Sequence, residues 1–251
     1  RKGARVAEID DSLLDRIGKA TITSTGSLVE MLRFIGDATM SCGRMLVGRA
    51  RYRRSDLLVF IQQAGAEALF IVTLISFLVG IILAFIGAIQ LRQFGAQIFV
   101  ADLVGIAMAQ EMGALMTAII MSGRSGAAFA AQIGTMQVNE EVDALQTMGL
   151  SPVEFLVLPR LLALMLMIPF LTVYADLLGI LGGAVVGIGM LGLTPTQYFN
   201  ETKSALTLGY FAMGLFKGEV FGVLVALAGC LRGIQCGRSS AAVGLAVTSA
   251  V

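Results

Sequence analysis

Residues 110–152, QEMGALMTAIIMSGRSGAAFAAQIGTMQVNEEVDALQTMGLSP, decide the fold of this chain. The first part is an apolar run of helical character that contains two charges, Glu111 and Arg124, and continues into a ladder of small residues. The second part is a short acidic segment that ends at Gly149 and Pro152. We predict a membrane-crossing helix followed directly by a helix that is too short to cross.

The small residues form two adjacent stripes in which members are spaced four apart. One stripe is Gly123, Ala127 and Ala131, and the other is Gly126, Ala130 and Gly134. Such stripes let helix backbones approach closely in lipid, where packing rather than water exclusion drives association. The sequence leaves open whether the packed helix belongs to the same subunit or to a second copy in a dimer.

The acidic segment has the start and stop signals of a short helix. We expect Asn139 to cap its N-terminus, with Glu140 and Glu141 in the first turn, where the helix dipole favours anions. Gly149 can end the helix, and Pro152 prevents the chain from resuming it.

The predicted short helix is amphipathic. Its apolar face is Val138, Val142, Leu145 and Met148, and its polar face is Glu141, Asp143, Gln146 and Thr147. A compact amphipathic helix between two apolar runs lies on a membrane surface or docks its apolar face into a partner. Because acidic helices bind anionic lipid heads poorly, we favour a protein partner.

Residues 111–160, EMGALMTAIIMSGRSGAAFAAQIGTMQVNEEVDALQTMGLSPVEFLVLPR, resemble the core signature of the MlaE permease family. These permeases are the membrane subunits of MCE-associated lipid ABC transporters. Weaker similarity extends from about Ser27 to the C-terminus. The resemblance implies a homodimer paired with two copies of a cytoplasmic ABC ATPase, whose motion is received by a coupling helix at residues 139–148. The implied coupling residues are Asn139, Glu140, Glu141, Val142, Asp143, Leu145 and Met148.

The resemblance also implies a cargo and further partners. Members of the family move phospholipids between the inner and outer membranes and help to maintain outer-membrane lipid asymmetry, with relatives that move other lipids or sterols. The implied partners are a periplasmic ring of MCE-domain proteins and, as a further candidate, a small STAS-type cytoplasmic subunit. We therefore expect a multi-pass protein in the inner membrane of a Gram-negative bacterium.

Composition and charge agree with a polytopic membrane protein. The 251 residues are 57% hydrophobic and 14% charged, whereas about a quarter of the residues of a soluble domain are charged. Residues 1–56 hold eleven of the eighteen Lys and Arg, which excludes a broad nucleic-acid surface and indicates a cytoplasmic N-terminal part. With three Cys and no His, no metal site or disulfide framework is recognisable.

The N-terminal part precedes the first predicted span. We expect residues 1–25 to be a cytoplasmic linker or the tail of an upstream domain, and residues 26–251 to form the permease domain. Residues 27–54 combine an amphipathic pattern with a cluster of arginines. This combination predicts an interfacial helix on the cytoplasmic leaflet, with an ordinary positively charged membrane anchor as the alternative.

The fold class that we predict is an all-α polytopic membrane protein with about five transmembrane helices. The predicted spans are residues 68–89, 103–133, 155–193 and 205–231, followed by residues 239–251 as the start of a truncated last span. The run 155–193 is long enough for two crossings, but the position of the later arginines favours one bent crossing. Residues 194–203 are expected to form a polar segment outside.

Five charged residues fall within the predicted spans: Glu111, Arg124, Asp176, Lys217 and Glu219. Glu111 and Arg124 are about 20 Å apart along a helix and cannot pair directly. An unpaired charge is costly in the membrane, so we expect Lys217 and Glu219 to find partners, with Glu111 and Asp176 as the candidates. For Glu111 a structural role and a role at the translocation path both remain open.

The sequence contains no recognisable catalytic or nucleotide-binding motif. It contains no GxxxxGK[ST] loop for nucleotide phosphates and no nucleophile with a positioned base, so we do not expect an enzyme. We expect no cofactor bound to this chain, and ATP and Mg in the partner ATPase. The alternative is an ion-coupled secondary transporter of an apolar substrate that uses the intramembrane charges as a proton relay; a scaffold without transport is a weaker third reading.

For the permease, we expect two copies to enclose an apolar cavity lined by the first span and by the span after Thr207. The candidate lining residues are Leu74, Phe77, Leu78, Ile81, Phe85 and Met213. Lipid tails need only apolar walls, which these side chains supply. Polar loops around residues 93–97 and 195–201 would seat the MCE ring.

Overall fold

A computed structural model describes residues 13–48 and 53–251, and these residues form helices joined by short connections, without a strand. The predicted all-α class is therefore confirmed. In chain order the helices are α1 (Leu13–Leu46), α2 (Arg54–Ala64), α3 (Leu69–Arg92), α4 (Val100–Ala107), α5 (Gly113–Met121), α6 (Ala127–Val138), α7 (Glu141–Thr147), α8 (Leu158–Gly189), α9 (Pro195–Ala205), α10 (Leu208–Ile234) and α11 (Ser240–Ser249).

Four helical segments of the described chain are long and apolar enough to cross a membrane. They are Ser55–Arg92, Gln97–Val138, Val153–Gly189 and Leu208–Ile234, and Ser240–Ser249 is a shorter apolar helix. The third segment is one continuous helix with Pro169 in its interior, which matches the single crossing that we expected for this region. Neighbouring helices can satisfy the backbone groups that a proline frees within a membrane.

Two of the long segments contain π turns, in which the backbone includes one extra residue per turn. The second segment has π turns at Met108–Met112 and Ser122–Gly126, between α4, α5 and α6, and the third begins with one at Val153–Val157. Such turns shift the faces that a helix presents and occur often at functional sites. The small-residue stripes that we read with a regular period of four therefore span a break in helical register at Ser122–Gly126.

The bundle is centred on α8, which packs against α3 along much of its length and also contacts α2, α5 and α10. The closest approach is between Gly80 and Gly179, where a Cβ atom on Gly80 would collide with the Gly179 backbone. A second core lies where α2, α6, α8 and α10 meet, around Phe60, Phe129 and Leu164. We name the two ends of the bundle after the short helices found there, the α7 end and the α9 end.

The N-terminal helix α1 is longer than predicted. It begins at Leu13, not at residue 27, and ends at Leu46, and a separate helix, α2, begins at Arg54. Leu28, Leu32 and Met40 are exposed on α1, whereas Phe34 is buried against the bundle. This distribution fits a helix that lies on a membrane interface. Arg49 and Arg51 of the predicted arginine cluster, and residues 1–12, fall outside the described residues.

The predicted polar segment at residues 194–203 is a helix, α9, and not a loop. Thr194 caps it: its side chain accepts from the backbone N–H of Gln197, and the Gln197 side chain accepts from the backbone of Thr194. Pro195 occupies the first turn, where its fixed φ is favourable. These are sequence signals for a helix start, and the polarity of the segment led us to overlook them.

Candidate functional site

The short helix α7 lies between α6 and α8 at one end of the bundle, at the position that we predicted from the acidic segment. It begins at Glu141, and Glu140 precedes it with a left-handed backbone, φ 61°. The predicted capping role of Asn139 is wrong, because Asn139 ends α6 and its side-chain amide donates to Glu141 Oε1 at 3.4 Å. The predicted end at Gly149 is confirmed: Gly149 has φ 74°, and Leu150 N–H donates to the Leu145 carbonyl at 3.0 Å.

The apolar face of α7 packs within the chain rather than awaiting a partner. Val142 and Leu145 are only 2% and 8% exposed, and they pack against Leu156 at the start of the third span. Met148, which we placed on the same face, is 65% exposed. The expectation that the apolar face docks into a partner protein is therefore wrong, since a seven-residue helix needs that face to fix itself to the bundle.

Ion pairs fix α7 from a second side. Arg238, in the connection between α10 and α11, donates to Asp143 Oδ2 at 2.8 Å and lies 3.7 Å from Glu140 Oε1. Two of the predicted coupling residues are thus paired within the chain. Glu141 is exposed beside them, as are Ala144, Gln146, Thr147 and the C-cap Met148. We call Glu141, Ala144, Thr147 and Met148 the outward edge of α7.

The start of the third span is held by two arginines that sequence reasoning did not single out. Glu154, in the π turn at Val153–Val157, forms an ion pair with Arg44 of α1. Arg160, in the first turn of α8, is buried and donates to the Leu156 carbonyl at 2.6 Å and to Gln132 Oε1 at 3.1 Å. The Arg44 pair ties this segment to α1, and the hydrogen bond to Gln132 ties it to α6.

Arg160 also stacks on aromatic rings. Its guanidinium carbon lies 4.3 Å from the centroid of the Phe60 ring and 5.7 Å from that of Phe129, and the two rings meet edge to face. Cation–π contact partly offsets the cost of burying the charge. Through this one side chain α2, α6 and α8 are joined beside α7.

The charged residues of the predicted spans have different surroundings in the structure. Lys217 on α10 forms an ion pair with Glu111 in the π turn at Met108–Met112, so its partner is one of the two candidates that the sequence offered. Lys217 also donates to the backbone carbonyl of Gln110 at 3.3 Å. Both charged side chains are partly exposed on the bundle surface.

Arg124 lies in the π turn at Ser122–Gly126 and turns towards the connection between α2 and α3. Its guanidinium donates to the Gln63 carbonyl at 2.6 Å and to Glu67 Oε2 at 2.9 Å. Each of the three π turns therefore carries a charged residue that pairs with another helix or connection: Glu111 with Lys217, Arg124 with Glu67, and Glu154 with Arg44.

Asp176 and Glu219 do not find the partners that we considered. Asp176 on α8 is 1% exposed and packs against Gly113, and its Oδ1 accepts no hydrogen bond from the described chain. One carboxylate oxygen of Glu219 is likewise buried without a described donor. Asp176 is therefore not the counter-ion of Lys217 or an ion-pair partner for any residue that the structure describes.

The two small-residue stripes have different surroundings. Gly126, Ala130 and Gly134 are buried against α10 and α11, and a Cβ atom on Gly229 would lie 2.5 Å from the Gly126 carbonyl oxygen. Gly123 is exposed, with no heavy atom within 4 Å of the position of a Cβ, and Ala127 and Ala131 are half-buried. One stripe packs within the subunit and the other faces outward.

The six cavity candidates do not converge within one chain. Leu74, Leu78 and Phe85 are about half exposed on α3, Phe77 and Ile81 are half-buried there, and Met213 is half exposed on α10. Because α3 packs chiefly against α8, and α10 packs against α6 and α8, a cavity lined by α3 and α10 needs a second copy of the chain. The predicted cavity stays a prediction.

Other chemistry has no assembled site in the described part of the chain. No group of three or more His, Cys, Asp or Glu side chains there could hold a metal ion, and Cys42, Cys230 and Cys236 are all free thiols. Burial raises the pKa of the Cys42 and Cys236 thiols, which keeps them protonated at neutral pH.

Comparisons with known proteins identify relatives of the whole bundle. Residues 57–251 match the family model described as Permease MlaE. A probable ABC transporter permease protein of Rickettsia typhi is 36% identical over 187 residues, which cover 74% of this chain and 72% of the relative. The intermembrane phospholipid transport system permease protein MlaE of Haemophilus influenzae is 26% identical over 227 residues, 89% of this chain and 87% of that protein. The Arabidopsis thaliana protein trigalactosyldiacylglycerol 1, chloroplastic, is 28% identical over 208 residues, 83% of this chain and 59% of its own length.

Proposed function

The chain belongs to the MlaE family of ABC transporter permeases, and on this basis we propose that it moves phospholipids between the inner and outer membranes and so helps to maintain outer-membrane lipid asymmetry. We propose that it lies in the inner membrane of a Gram-negative bacterium as a homodimer. A separate cytoplasmic ATPase binds ATP and Mg and supplies the energy. An ion-coupled transporter is set aside, since membership of this family implies an ATPase partner.

The observation that supports this proposal is that α7 packs one face against the bundle and leaves a polar edge exposed. Its inner face is locked by Val142 and Leu145 against Leu156, and its polar edge projects from the bundle. A helix fixed in this way can transmit a displacement to α8 through Leu156 and to α1 through the Arg44–Glu154 pair. We therefore propose α7 as the coupling helix, contacted by the ATPase along Glu141, Ala144, Thr147 and Met148.

The homodimer is supported by the outward stripe. Gly123, Ala127 and Ala131 leave room for close approach of a helix, and no residue that the structure describes fills the space over Gly123. Dimerisation there would bring α3 and α10 surfaces of two copies within reach of a shared apolar cavity. Gly123→Leu is then expected to shift the purified protein from dimer to monomer, whereas exchange of exposed Leu166 for Ala leaves the dimer intact.

At the α9 end we propose the contact with the periplasmic MCE ring. The helix α9 and the connection at residues 93–97 lie together there, opposite α7. Within residues 13–48 and 53–251 the contacts single out no surface for a STAS-type subunit. Crosslinkers placed at Phe94 and at Thr196 should capture an MCE protein, and failure at both positions would remove this surface from the proposal.

Copurification tests the ATPase contact. The full-length protein is purified in mild detergent, and its bound proteins and lipids are identified by mass spectrometry. Met148→Arg places a charge on the outward edge of α7 at a side chain that is 65% exposed, and Met190→Arg is the matched control at the other end of the bundle. We expect ATPase and phospholipid to elute with the wild type and with Met190→Arg, and the ATPase to be lost with Met148→Arg.

A charge exchange separates the coupling contact from the orientation of α7. Asp143→Arg alone breaks the pair with Arg238, so a loss of ATPase in that variant has two explanations. The double variant Asp143→Arg with Arg238→Asp restores the pair and should recover ATPase binding if Asp143 only orients the helix. A protein that elutes without ATPase and is unaffected by any of these changes would overturn the proposed function.

A further inference from the structure

A groove of about 540 Å³ opens on the bundle surface at the α9 end, between α8, α9 and α10. Its walls are mostly apolar and include Leu177 and Leu181 from α8, Phe199 from α9 and Phe211 from α10. The volume is within the range of about 300–1,000 Å³ that is typical of small-molecule sites. An apolar recess of this kind on a membrane-spanning bundle is accessible to lipid tails.

One cation stands at the edge of the groove. Lys203, in the last turn of α9, is exposed and lines the groove, and its ammonium has no hydrogen bond or ion pair with any residue that the structure describes. The neighbouring hydroxyl of Thr202 is already used, since it donates to the Tyr198 carbonyl at 2.9 Å. The groove therefore offers apolar walls and a single free positive charge.

The groove is rigidly built. Tyr198, on the inner face of α9, is fully buried against Gly183 and Gly187 of α8, and its hydroxyl donates to the Ile180 carbonyl at 3.2 Å. The capping interaction of Thr194 fixes the other end of α9. A site that is already ordered pays little conformational entropy when a ligand binds.

The groove is separate from the transport cavity that we propose. Phe211 lines the groove, whereas Met213 is a candidate for the cavity, and residues two apart on α10 point to nearly opposite sides of a helix. None of the cavity candidates on α3 lines the groove. A ligand in the groove can therefore be bound without entering the transport path.

The geometry points to a phospholipid site in this groove, with an acyl chain along Leu177, Leu181 and Phe211 and the lipid phosphate on the ammonium of Lys203. The free charge favours a lipid over a transmembrane helix of another protein, since an apolar helix in the groove would leave Lys203 without a counter-charge. A lipid phosphate supplies this counter-charge, and a lysine near the membrane surface attracts anionic lipid heads. The site needs no ATPase, so it is tested independently of the proposed function.

Photolabelling of the full-length protein in nanodiscs tests the site. The probe is phosphatidylglycerol with a diazirine in one acyl chain, and a diacylglycerol with the same diazirine chain lacks only the phosphate headgroup. Labelled peptides that contain Phe199 or Phe211 are quantified by mass spectrometry. The variants are Lys203→Gln, Lys203→Arg and Leu181→Trp, with Arg92→Gln and Leu166→Trp as controls for an exposed cation at the same end and an exposed leucine on the same helix.

We expect the phosphatidylglycerol probe to label the groove peptides of the wild type. Lys203→Gln should reduce this labelling about fivefold, Lys203→Arg should restore it, and Leu181→Trp should abolish it by filling the groove. Both controls should label like the wild type. The diacylglycerol probe should label weakly and show no dependence on Lys203.

Three results would overturn the site. Equal labelling by the two probes would mean that the phosphate is not recognised. Unchanged labelling in Lys203→Gln and Leu181→Trp would mean that the lipid contacts the bundle elsewhere. Labelling of the wild type that disappears when a partner protein is present, together with a crosslink between the groove and that partner, would assign the groove to a protein helix.

Discussion

Lys217 on α10 and Glu111 in the π turn at Met108–Met112 form an ion pair across the interface between two membrane-spanning segments. The extra residue of the π turn breaks the regular helical register beside Glu111. Both residues are partly exposed, so the pair lies at the surface of one subunit and within reach of a second copy or of lipid. The pair thus joins α10 to a segment that leads through α5 and α6 to α7.

Double-mutant analysis tests the coupling of this pair. We expect Glu111→Gln and Lys217→Gln each to reduce the free energy of unfolding in detergent, and the double variant to lose less than the sum by about 0.5–1 kcal/mol. The pair Arg53–Asp56, 3.8 Å apart with side chains 72% and 38% exposed, is the control and should show a coupling near zero. Additive losses at Glu111 and Lys217 would show that the two charges act independently.

The sequence narrowed the candidate partners of Lys217 to Glu111 and Asp176, because unpaired charges are costly in a membrane and the chain offers few of them. It was not sufficient to predict the partner of Arg124, because Glu67 lies outside the apolar runs and has no pattern of its own. It also gave no sign of the three π turns. A π turn adds one residue without a compositional signature, so faces extrapolated across it from a period of 3.6 are displaced.

For the candidate coupling helix, too, some features were predictable from the sequence and others were not. Its place and its glycine end were predictable from local signals, because turns depend on neighbouring residues. Its N-cap was not, since Asn139 ends α6 and Glu140 precedes α7. The destination of its apolar face was not, because Leu156 and Arg160 occur in an apolar run that has no visible periodic face. Sequence analysis did not single out Arg160, although in the structure its side chain joins three helices.

Glycine contacts inside the subunit and at its surface should respond differently to substitution. A Cβ atom on Gly229 would meet the backbone of Gly126, so Gly229→Ala must separate α6 from α10 and should cost about 1–3 kcal/mol of unfolding free energy. Beyond its own helix backbone, Gly123→Ala meets no atom of the described residues within 4 Å and should change the same quantity by less than about 0.5 kcal/mol. Equal effects of the two changes would contradict the close packing of α6 and α10.

The contribution of Arg160 to stability should depend on its guanidinium group and not only on its positive charge. Lysine cannot reproduce the forked hydrogen bonds to Leu156 and Gln132 or the stacking on Phe60, and it places a strongly hydrated charge in a buried position. We expect Arg160→Lys to lose about 2–4 kcal/mol of unfolding free energy, at least as much as Arg160→Met.

The control for Arg160 is the exposed Arg232, where replacement by Lys should change the unfolding free energy by less than about 0.5 kcal/mol. Denaturant unfolding in mixed micelles gives all three values. If Arg160→Lys matched the wild type, positive charge alone would account for the residue, and the aromatic and hydrogen-bonding contacts would contribute nothing measurable.

Tyr198 should make the α9 end sensitive to alkali. Burial raises the pKa of its hydroxyl to about 12 from an ordinary value of 10, so the folded protein retains a proton that the unfolded chain loses between these pH values. Because the unfolded state then binds fewer protons, the contribution of Tyr198 to stability is complete below pH 10 and is lost as the pH rises towards 12.

At neutral pH Tyr198→Phe should lose about 1 kcal/mol of unfolding free energy together with the hydrogen bond to Ile180. Its stability should then fall less steeply than that of the wild type above pH 10, so the two unfolding curves approach each other. Unfolding measured from pH 7 to 12 tests this, with Tyr210→Phe as the control for loss of a half-buried hydroxyl at neutral pH. Parallel curves for the wild type and Tyr198→Phe across this range would show that Tyr198 is not buried against α8 in the folded protein.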